Sequence, residues 1–284
     1  MSIGHCPGHR VISGKIGNPG VGKVWFVGAG PGDPELLTFK GVKLLQQAGA
    51  ILYAGSLVDK AATCYAPSHC EIRDSKDMTL EEITAWLIEQ AARHAIVIRL
   101  QTGDPGLYGA LVEMVRALDK AQVEWAVVPG VSSALAAAAA AGETLTLPEV
   151  TQTVILTRVA GRTPMPAGED LESLAAHHCT LCLFLSITLF PEIQRALRAA
   201  GWAEDSPVLV VQKASWPGEE KIVRGTLADI RERCRREKIG SQAMIIVSPA
   251  LGARGWAEIK RSKLYDGTFS HRYRKANKEP GDLS

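Results

Sequence analysis

The stretch "VWFVGAGPGDPELLT", residues 24–38, decides how the chain begins to fold. Val24, Trp25, Phe26 and Val27 are β-branched or aromatic, the composition of a buried strand. Glycines at 28, 30 and 32 end that run, and Asp33, Pro34 and Glu35 predict a helix start with Asp as N-cap and Pro at the first helical position. Strand, glycine turn and helix in this order open an α/β unit, so the question is what the glycines hold.

Two nucleotide motifs can be tested here. A dinucleotide loop needs G-x-G-x-x-G; Gly28 and Gly30 fit, but Asp33 takes the third position, and Pro31 and Pro34 impose a different turn. Gly17 to Lys23 satisfies G-x-x-x-x-G-K, yet Val24 replaces the required hydroxyl, no strand precedes it and a strand follows where a phosphate-binding helix should start. Both readings fail.

Outward from this stretch the pattern recurs. "AIVIRLQTGDPGLYGALVEMVRAL" (95–118) and "VEWAVVPGVSSALAAAAAAG" (123–142) each run from an apolar strand through a Gly/Pro loop to a helix. Between them and the first lie the apolar "AILYAGSLV" (50–58) and an amphipathic helix, "TLEEITAWLIEQAARH" (79–94), with Leu80, Ile83, Leu87 and Ile88 at helical spacing. Alternating strands and helices predict a mostly parallel sheet, whose ligands bind at loops beyond the carboxyl ends of the strands. Asp-Pro turns could merely start helices at 33–34 and 104–105. Two such turns plus "PGVSS" on one sheet edge point instead to a ligand that touches backbone, nucleoside-like and without a strong phosphate cradle.

The pattern breaks at "ETLTLPE" (143–149). Beyond it, strands are predicted at "TQTVILT", "TLCLFLS", "PVLVVQKAS" and "QAMIIVS", with helices near 170–178, 190–200 and 226–238. The fold class is α/β: two α/β domains with an active-site cleft between them. The expected organisation is a flexible leader (1–23), an N-terminal domain (24–145), a C-terminal domain (146–249) and a basic extension (250–284).

Composition narrows the function. The 284 residues carry 32 Lys and Arg against 30 Asp and Glu, a net charge of +2, which gives no support to a polyanionic partner such as nucleic acid. Only the tail "KRSKLYDGTFSHRYRKANK" (260–278) is strongly basic, and it reads as a solvated extension packed through its aromatics. No apolar run approaches the ~20 residues that cross a bilayer, and the N-terminus has no secretory core, so a cytoplasmic protein with no membrane association is expected. The six cysteines lack disulfide-scaffold spacing; "HHCTLC" (177–182) has a lone C-x-x-C without a second pair, and Cys179 and Cys182 border an apolar strand, so no metal site is predicted.

The motifs together resemble one family. "VGAGPGDPELLTFKGVKLLQQAGAILYAGSLV", "RLQTGDPGLYGA", "VPGVSSALAAAAAAG", "LPEVTQTVILTRVAGRTPMP" and "KASWPGEEKIVRGTL", in order over about 24–249, are similar to the S-adenosylmethionine-dependent tetrapyrrole methylases. The nearest branch is the precorrin-4 C11-methyltransferases of cobalamin biosynthesis, the cobalt-precorrin-4 form included. The resemblance implies S-adenosyl-L-methionine as cofactor, held by Pro31, Thr102, Gly103, Asp104, Leu107, Tyr108, Ser132, Ser133, Ala134, Phe184, Lys213, Ala214, Ala243 and Met244. It places Asp104 and Tyr108 at the chemistry and Tyr53 and Ser56 at the substrate, and it implies a homodimer. A precorrin carries many carboxylates, so Arg99, Arg158 and Arg162 are candidate substrate contacts, with Lys213 and Arg224 as further cations.

The sequence departs from the uroporphyrinogen methylases in two places: Ala54 follows Tyr53 where they usually carry an Asp, and Ala110 stands where they carry an Arg. Both departures weigh against a uroporphyrinogen substrate and leave no dedicated base. Methyl transfer from a sulfonium to carbon is an in-line displacement that needs positioning, with the reacting atoms ~3–3.5 Å apart, rather than leaving-group acid. Another tetrapyrrole carbon, an RNA ribose or a protein acceptor would use the same fold, and a non-catalytic binding module is the alternative of a different class.

Overall fold

The computed structural model describes residues 22–259 and 262–276. Most of the leader, the Gly17–Lys23 motif up to residue 21, Cys6 and parts of the basic tail lie outside them. The described chain forms two compact units that are not contiguous blocks of sequence. Among the described residues, 22–136 associate with Lys213–Glu220, and Ala137–Gln212 associate with those after Glu220.

The first unit is built on one sheet. Its elements are β1 (Lys23–Gly28), α1 (Phe39–Leu45), β2 (Ala50–Tyr53), β3 (Glu71–Asp74), α2 (Leu80–Ala91), β4 (Ile96–Gln101), α3 (Leu111–Lys120) and β5 (Glu124–Val128). The strand order is β3-β2-β4-β1-β5 and every neighbouring pair is parallel. Side chains alternate between the two faces, as a pleated strand requires. Val24, Phe26, Leu52 and Val97 meet Trp86, Leu87, Met114 and Leu118 of α2 and α3, while Val27, Ile51, Ile98 and Leu100 meet Leu45 on the other side. Burying both faces is why β1 and β2 read as apolar runs. Helix α2 is fixed by a reciprocal capping box between Thr79 and Glu82.

Neither Asp-Pro turn starts a full helix directly: at 33–35 this departs from the expected helix start, whereas at 104–105 a loop precedes the helix, as expected. Asp33 does cap Glu35 N–H, but only a 3₁₀ turn, Pro34–Leu36, follows; α1 begins after Thr38, whose hydroxyl caps Gly41. Asp104 caps no helix, because six residues of loop separate it from Leu111, and α3 starts from Ala110 in a left-handed conformation. Tertiary partners of the carboxylate, described below, replace the local cap.

Helix α4 (Ser133–Ala141) is the predicted alanine-rich helix. The second unit has β6 (Val154–Arg158), α5 (Leu171–Ala175), β7 (Thr180–Phe184), α6 (Phe190–Ala199), β8 (Pro207–Gln212), β9 (Lys221–Thr226), α7 (Ile230–Arg236) and β10 (Ala243–Val247). The order is β6-β7-β10-β8-β9; only β6 and β7 run parallel, and the remaining pairs are antiparallel. Strand β9, KIVRGT, is an edge strand with one buried side chain and two charges, which is why no apolar run announces it. Its core joins Leu181, Leu183, Val208, Val210, Ile245 and Val247 to Phe190, Ile193, Leu197 and Ile230. Ala250 and Ala253 pack on Leu147, so the first residues after β10 are core rather than solvated extension. No helix among the described residues is long and apolar enough to cross a membrane.

Candidate functional site

Parallel β1, β4 and β5 lie side by side, so the loops at their carboxyl ends, 29–33, 102–110 and 129–132, emerge together. They meet through backbone. A Cβ on Gly130 would lie 2.1 Å from the Gly103 carbonyl oxygen and 2.8 Å from Gly28 Cα, and one on Gly28 would lie 2.5 Å from the same oxygen. Gly103 N–H donates to Gly30 O (2.8 Å) and Gly30 N–H to Gly103 O (3.3 Å), with both residues at positive φ. The result is a floor of main chain with no side chain in it.

Asp104 ties this floor. Its Oδ2 accepts from Gly130 N–H (2.9 Å), 26 residues away, and its Oδ1 from Gly106 N–H (2.8 Å). Both oxygens of this expected catalytic residue are thus engaged by backbone, which makes it a pin between two loops. Thr102, Leu107, Ser132 and Ser133 stand half-buried around it and Ala134 is buried. Tyr108 (φ 55) and Ala110 (φ 50) are left-handed, and Tyr108 is half-exposed. Side chains held in this region cost about 1–2 kcal/mol each and tend to cluster at functional sites.

The 213–220 segment belongs to this unit as well. Trp216 Nε1 donates to Pro31 O (2.9 Å), and Asp33 N–H donates to Ser215 Oγ (3.1 Å). Lys213 pairs with Glu219 and places its ammonium 4.6 Å from the Trp216 ring centre. Pro31 and the Lys213–Ala214 pair, chosen from two separate motifs, are therefore joined through this segment, and the loops bring Thr102–Asp104, Leu107, Tyr108 and Ser132–Ala134 to the same sheet edge.

Farther along that edge, Tyr53 ends β2 beside Asp74 at the end of β3. The Tyr53 phenol hydrogen-bonds to the Asp74 carboxylate, and its pKa is raised, first by burial and then by Asp74 and Asp59. Asp74 also accepts from Gly55 N–H (3.0 Å) and Lys76 N–H (2.9 Å), and a Cβ on Gly55 would lie 2.1 Å from its Oδ2. Asp74 was missed because an acidic residue ending a short exposed strand carries no motif; only pairing of β2 and β3 reveals it. Ser56 is exposed in the turn that follows.

Arg99 corrects an expectation. It was a candidate for carboxylate recognition, but it is 6% exposed and its Nη1 donates to Ser75 Oγ (2.8 Å) and Leu52 O (3.4 Å). Burial lowers its pKa to about 10, opposed by Asp74. Its place on the central strand β4 turns it into the core.

In the second unit Arg158 ends β6 in register with Phe184 of β7. Its guanidinium donates to Thr163 O (3.1 Å) and Pro164 O (2.6 Å), closing its own loop, while Arg162 is exposed on that loop. Because β10 runs antiparallel to β7, Ala243 and Met244 lie by the Phe184 end, with Ala243 in register with Gln212 of β8. Arg224 is committed to Glu143 and Ala141 O. Cys182 lies within β7, fully buried, its thiol pushed up to about 12 by burial. Among the described residues no three His, Cys, Asp or Glu side chains are grouped to hold a metal ion.

Comparison with known proteins gives a consistent result. A family model described as Tetrapyrrole (Corrin/Porphyrin) Methylases matches residues 23–231. The chain is 47% identical over 256 residues to a cobalt-precorrin-4 C(11)-methyltransferase of Priestia megaterium, covering 90% of this chain and 99% of that protein. It is 42% identical over 251 residues to a precorrin-4 C(11)-methyltransferase of Pseudomonas aeruginosa, covering 88% and 98%. A solved cobalt precorrin-4 methyltransferase superposes with a TM-score of 0.78 at 48% identity, over 81% of this chain and 95% of that one. A uroporphyrin-III C-methyltransferase from Thermus thermophilus, complexed with S-adenosyl homocysteine, gives 0.67 at 31% identity, over 83% and 100%.

Proposed function

The chain belongs to the tetrapyrrole (corrin/porphyrin) methylases, and from that premise we propose that it methylates C11 of precorrin-4, or of its cobalt complex, yielding precorrin-5 and S-adenosylhomocysteine in cobalamin biosynthesis. One observation carries the reading: identity of 47% that runs across 99% of a cobalt-precorrin-4 C(11)-methyltransferase, so the likeness includes the whole of that protein rather than a shared cofactor module.

The loops of the first unit suit S-adenosylmethionine. Their floor is main chain, closed by Gly28, Gly103 and Gly130, and hydroxyls of Thr102, Ser132 and Ser133 stand around it, donors and acceptors suited to a nucleoside-like ligand. When bound, the cofactor supplies an electrophilic methyl group on a sulfonium. The chain's own contribution is placement. Asp104 fixes the 102–110 loop to the 129–132 loop, Trp216 fixes 213–216 to 31–33, and a pre-ordered floor does not have to be organised during reaction. In this reading Pro31, Thr102, Gly103, Asp104, Leu107, Tyr108, Ser132, Ser133, Ala134, Phe184, Lys213, Ala214, Ala243 and Met244 contact the donor. Tyr53, Ser56, Arg158 and Arg162 face the tetrapyrrole, with Asp74 holding the Tyr53 phenol proton so that its oxygen is left as an acceptor. The protein works as a cytoplasmic homodimer.

The test has two stages. Calorimetric titration with S-adenosylhomocysteine should show micromolar-range binding, and incubation with precorrin-4 and with its cobalt complex in separate reactions should give a product heavier by one methyl group. Binding of the thioether without methylation of either tetrapyrrole would keep the family and remove the C11 assignment.

A further inference from the structure

We propose that Trp216 is a positioning residue for the methyl donor: it rivets the Lys213–Ser215 stretch to the Pro31–Asp33 loop, and the donor surface exists only while that rivet is in place. The inference rests on the reading of these loops as the donor site and adds a residue to it. Segment 213–220 is poorly held by its own means. Only Ala214 is buried, and residues 217–220 are exposed. Lys213 (φ 48) and Ser215 (φ 68) are both left-handed, a conformation that disfavours side chains. The internal pairs, Lys213 with Glu219 and Ser215 N–H with the Glu220 carboxylate, are exposed, and exposed ion pairs are weak restraints.

What remains are the contacts to residues 31–33. The indole N–H reaches Pro31 O at 2.9 Å, the Ser215 hydroxyl receives Asp33 N–H at 3.1 Å, and the indole lies so close to Gly32 that a Cβ there would sit 2.0 Å from Trp216 Cδ1. Gly32 is not among the positive-φ glycines, so backbone conformation does not require it. It is a glycine because the ring occupies the space a side chain would take. Two stretches that share the donor site and stand about 180 residues apart in sequence are thereby made one surface.

The experiment is a cycle on the full-length protein, read by S-adenosylhomocysteine titration and by the KM for methyl donor against the KM for tetrapyrrole. Trp216→Phe keeps an aromatic ring but removes the indole N–H and its hydrogen bond, so donor-product affinity should fall about fivefold. Trp216→Ala and Gly32→Ala should each weaken it about tenfold or more, with the donor KM rising more than the tetrapyrrole KM. In the Trp216→Ala background Gly32→Ala should add less than about twofold, because the ring that its methyl group strikes is gone. Trp256→Phe, a half-exposed tryptophan elsewhere, serves as control. The proposal is overturned if Trp216→Phe binds the thioether like wild type, or if Gly32→Ala has the same effect in both backgrounds. Wild-type protein that binds no thioether would instead overturn the donor-site reading.

Discussion

The tripeptide Gly-Asp-Pro occurs at 32–34 and at 103–105, each directly after a strand of the same parallel sheet, and the two copies do different work. At the first, Asp33 turns its carboxylate inward on its own turn, capping Glu35, while Gly32 lies under an indole from residue 216. At the second, the Asp104 carboxylate makes the same local bond, to Gly106, but its other oxygen reaches Gly130, and Gly103 is left-handed with nothing nearer than 3.7 Å to a built Cβ. The same three residues are a covered anchor in one place and an open, cross-braced loop in the other. Position in the fold makes the difference: β5 and its glycine loop lie within reach of the second copy through the shared strand β1, and the 213–220 segment of the same unit brings the tryptophan to the first.

This contrast can be broken experimentally. The largest expected effect comes from Asp104→Ala, which removes the acceptor for two backbone amides. Hydrogen bonds to a charged group contribute about 1.5–3 kcal/mol, so S-adenosylhomocysteine affinity should fall at least about tenfold by calorimetry. Asp33→Ala, the matching change, should shift it less than about threefold; equal losses would erase the distinction between the turns. Next in size, Gly130→Ala drives a methyl group onto the Gly103 carbonyl and should cost about 1–3 kcal/mol in urea unfolding. Gly106→Ala, whose Cβ meets only the end of the Asp104 side chain at 3.0 Å, should cost less. Asp33→Ala itself should lower stability by about 1 kcal/mol through the lost cap.

Smaller effects sharpen the picture. Ala110→Gly relieves a left-handed alanine at the start of α3 and should raise stability, read as a higher urea midpoint, by less than about 1 kcal/mol once the added freedom of the unfolded chain is subtracted. A third strand end gives the mildest test. Tyr53 has its pKa raised above the unfolded value of 10.0, so its contribution to stability is present below that pH and fades as pH rises through the higher folded value. Absorbance titration should show one late-ionising phenol, lost in Tyr53→Phe and shifted toward pH 10.0 in Asp74→Asn.

Much of this architecture was legible in residue order alone. The apolar runs at 24–27 and 96–100 announced strands because both faces of a parallel sheet are buried, and Thr79 with Glu82 marked a helix start by a purely local exchange of hydrogen bonds. The helix start expected at Asp33–Glu35 came out as a 3₁₀ turn although Asp33 caps Glu35, and at Asp104 the carboxylate takes a distant amide as well as a neighbouring one; the sequence does not say which amides an aspartate will satisfy. Strand β9 and Asp74 escaped notice because edge strands need no apolar run. Arg99 read as a ligand for carboxylates because charge is visible in sequence and burial on a central strand is not.

Residue types therefore determined the alternation of strand and helix, the three glycine loops and the family to which the chain belongs, since each depends on local conformational preference or on ordered motifs. Tertiary structure decided which loops brace one another, which charged groups stay available to a ligand, and which far residue covers each turn. Those outcomes depend on strand order and packing, which bring partners from positions 26 to about 180 residues away within hydrogen-bond reach.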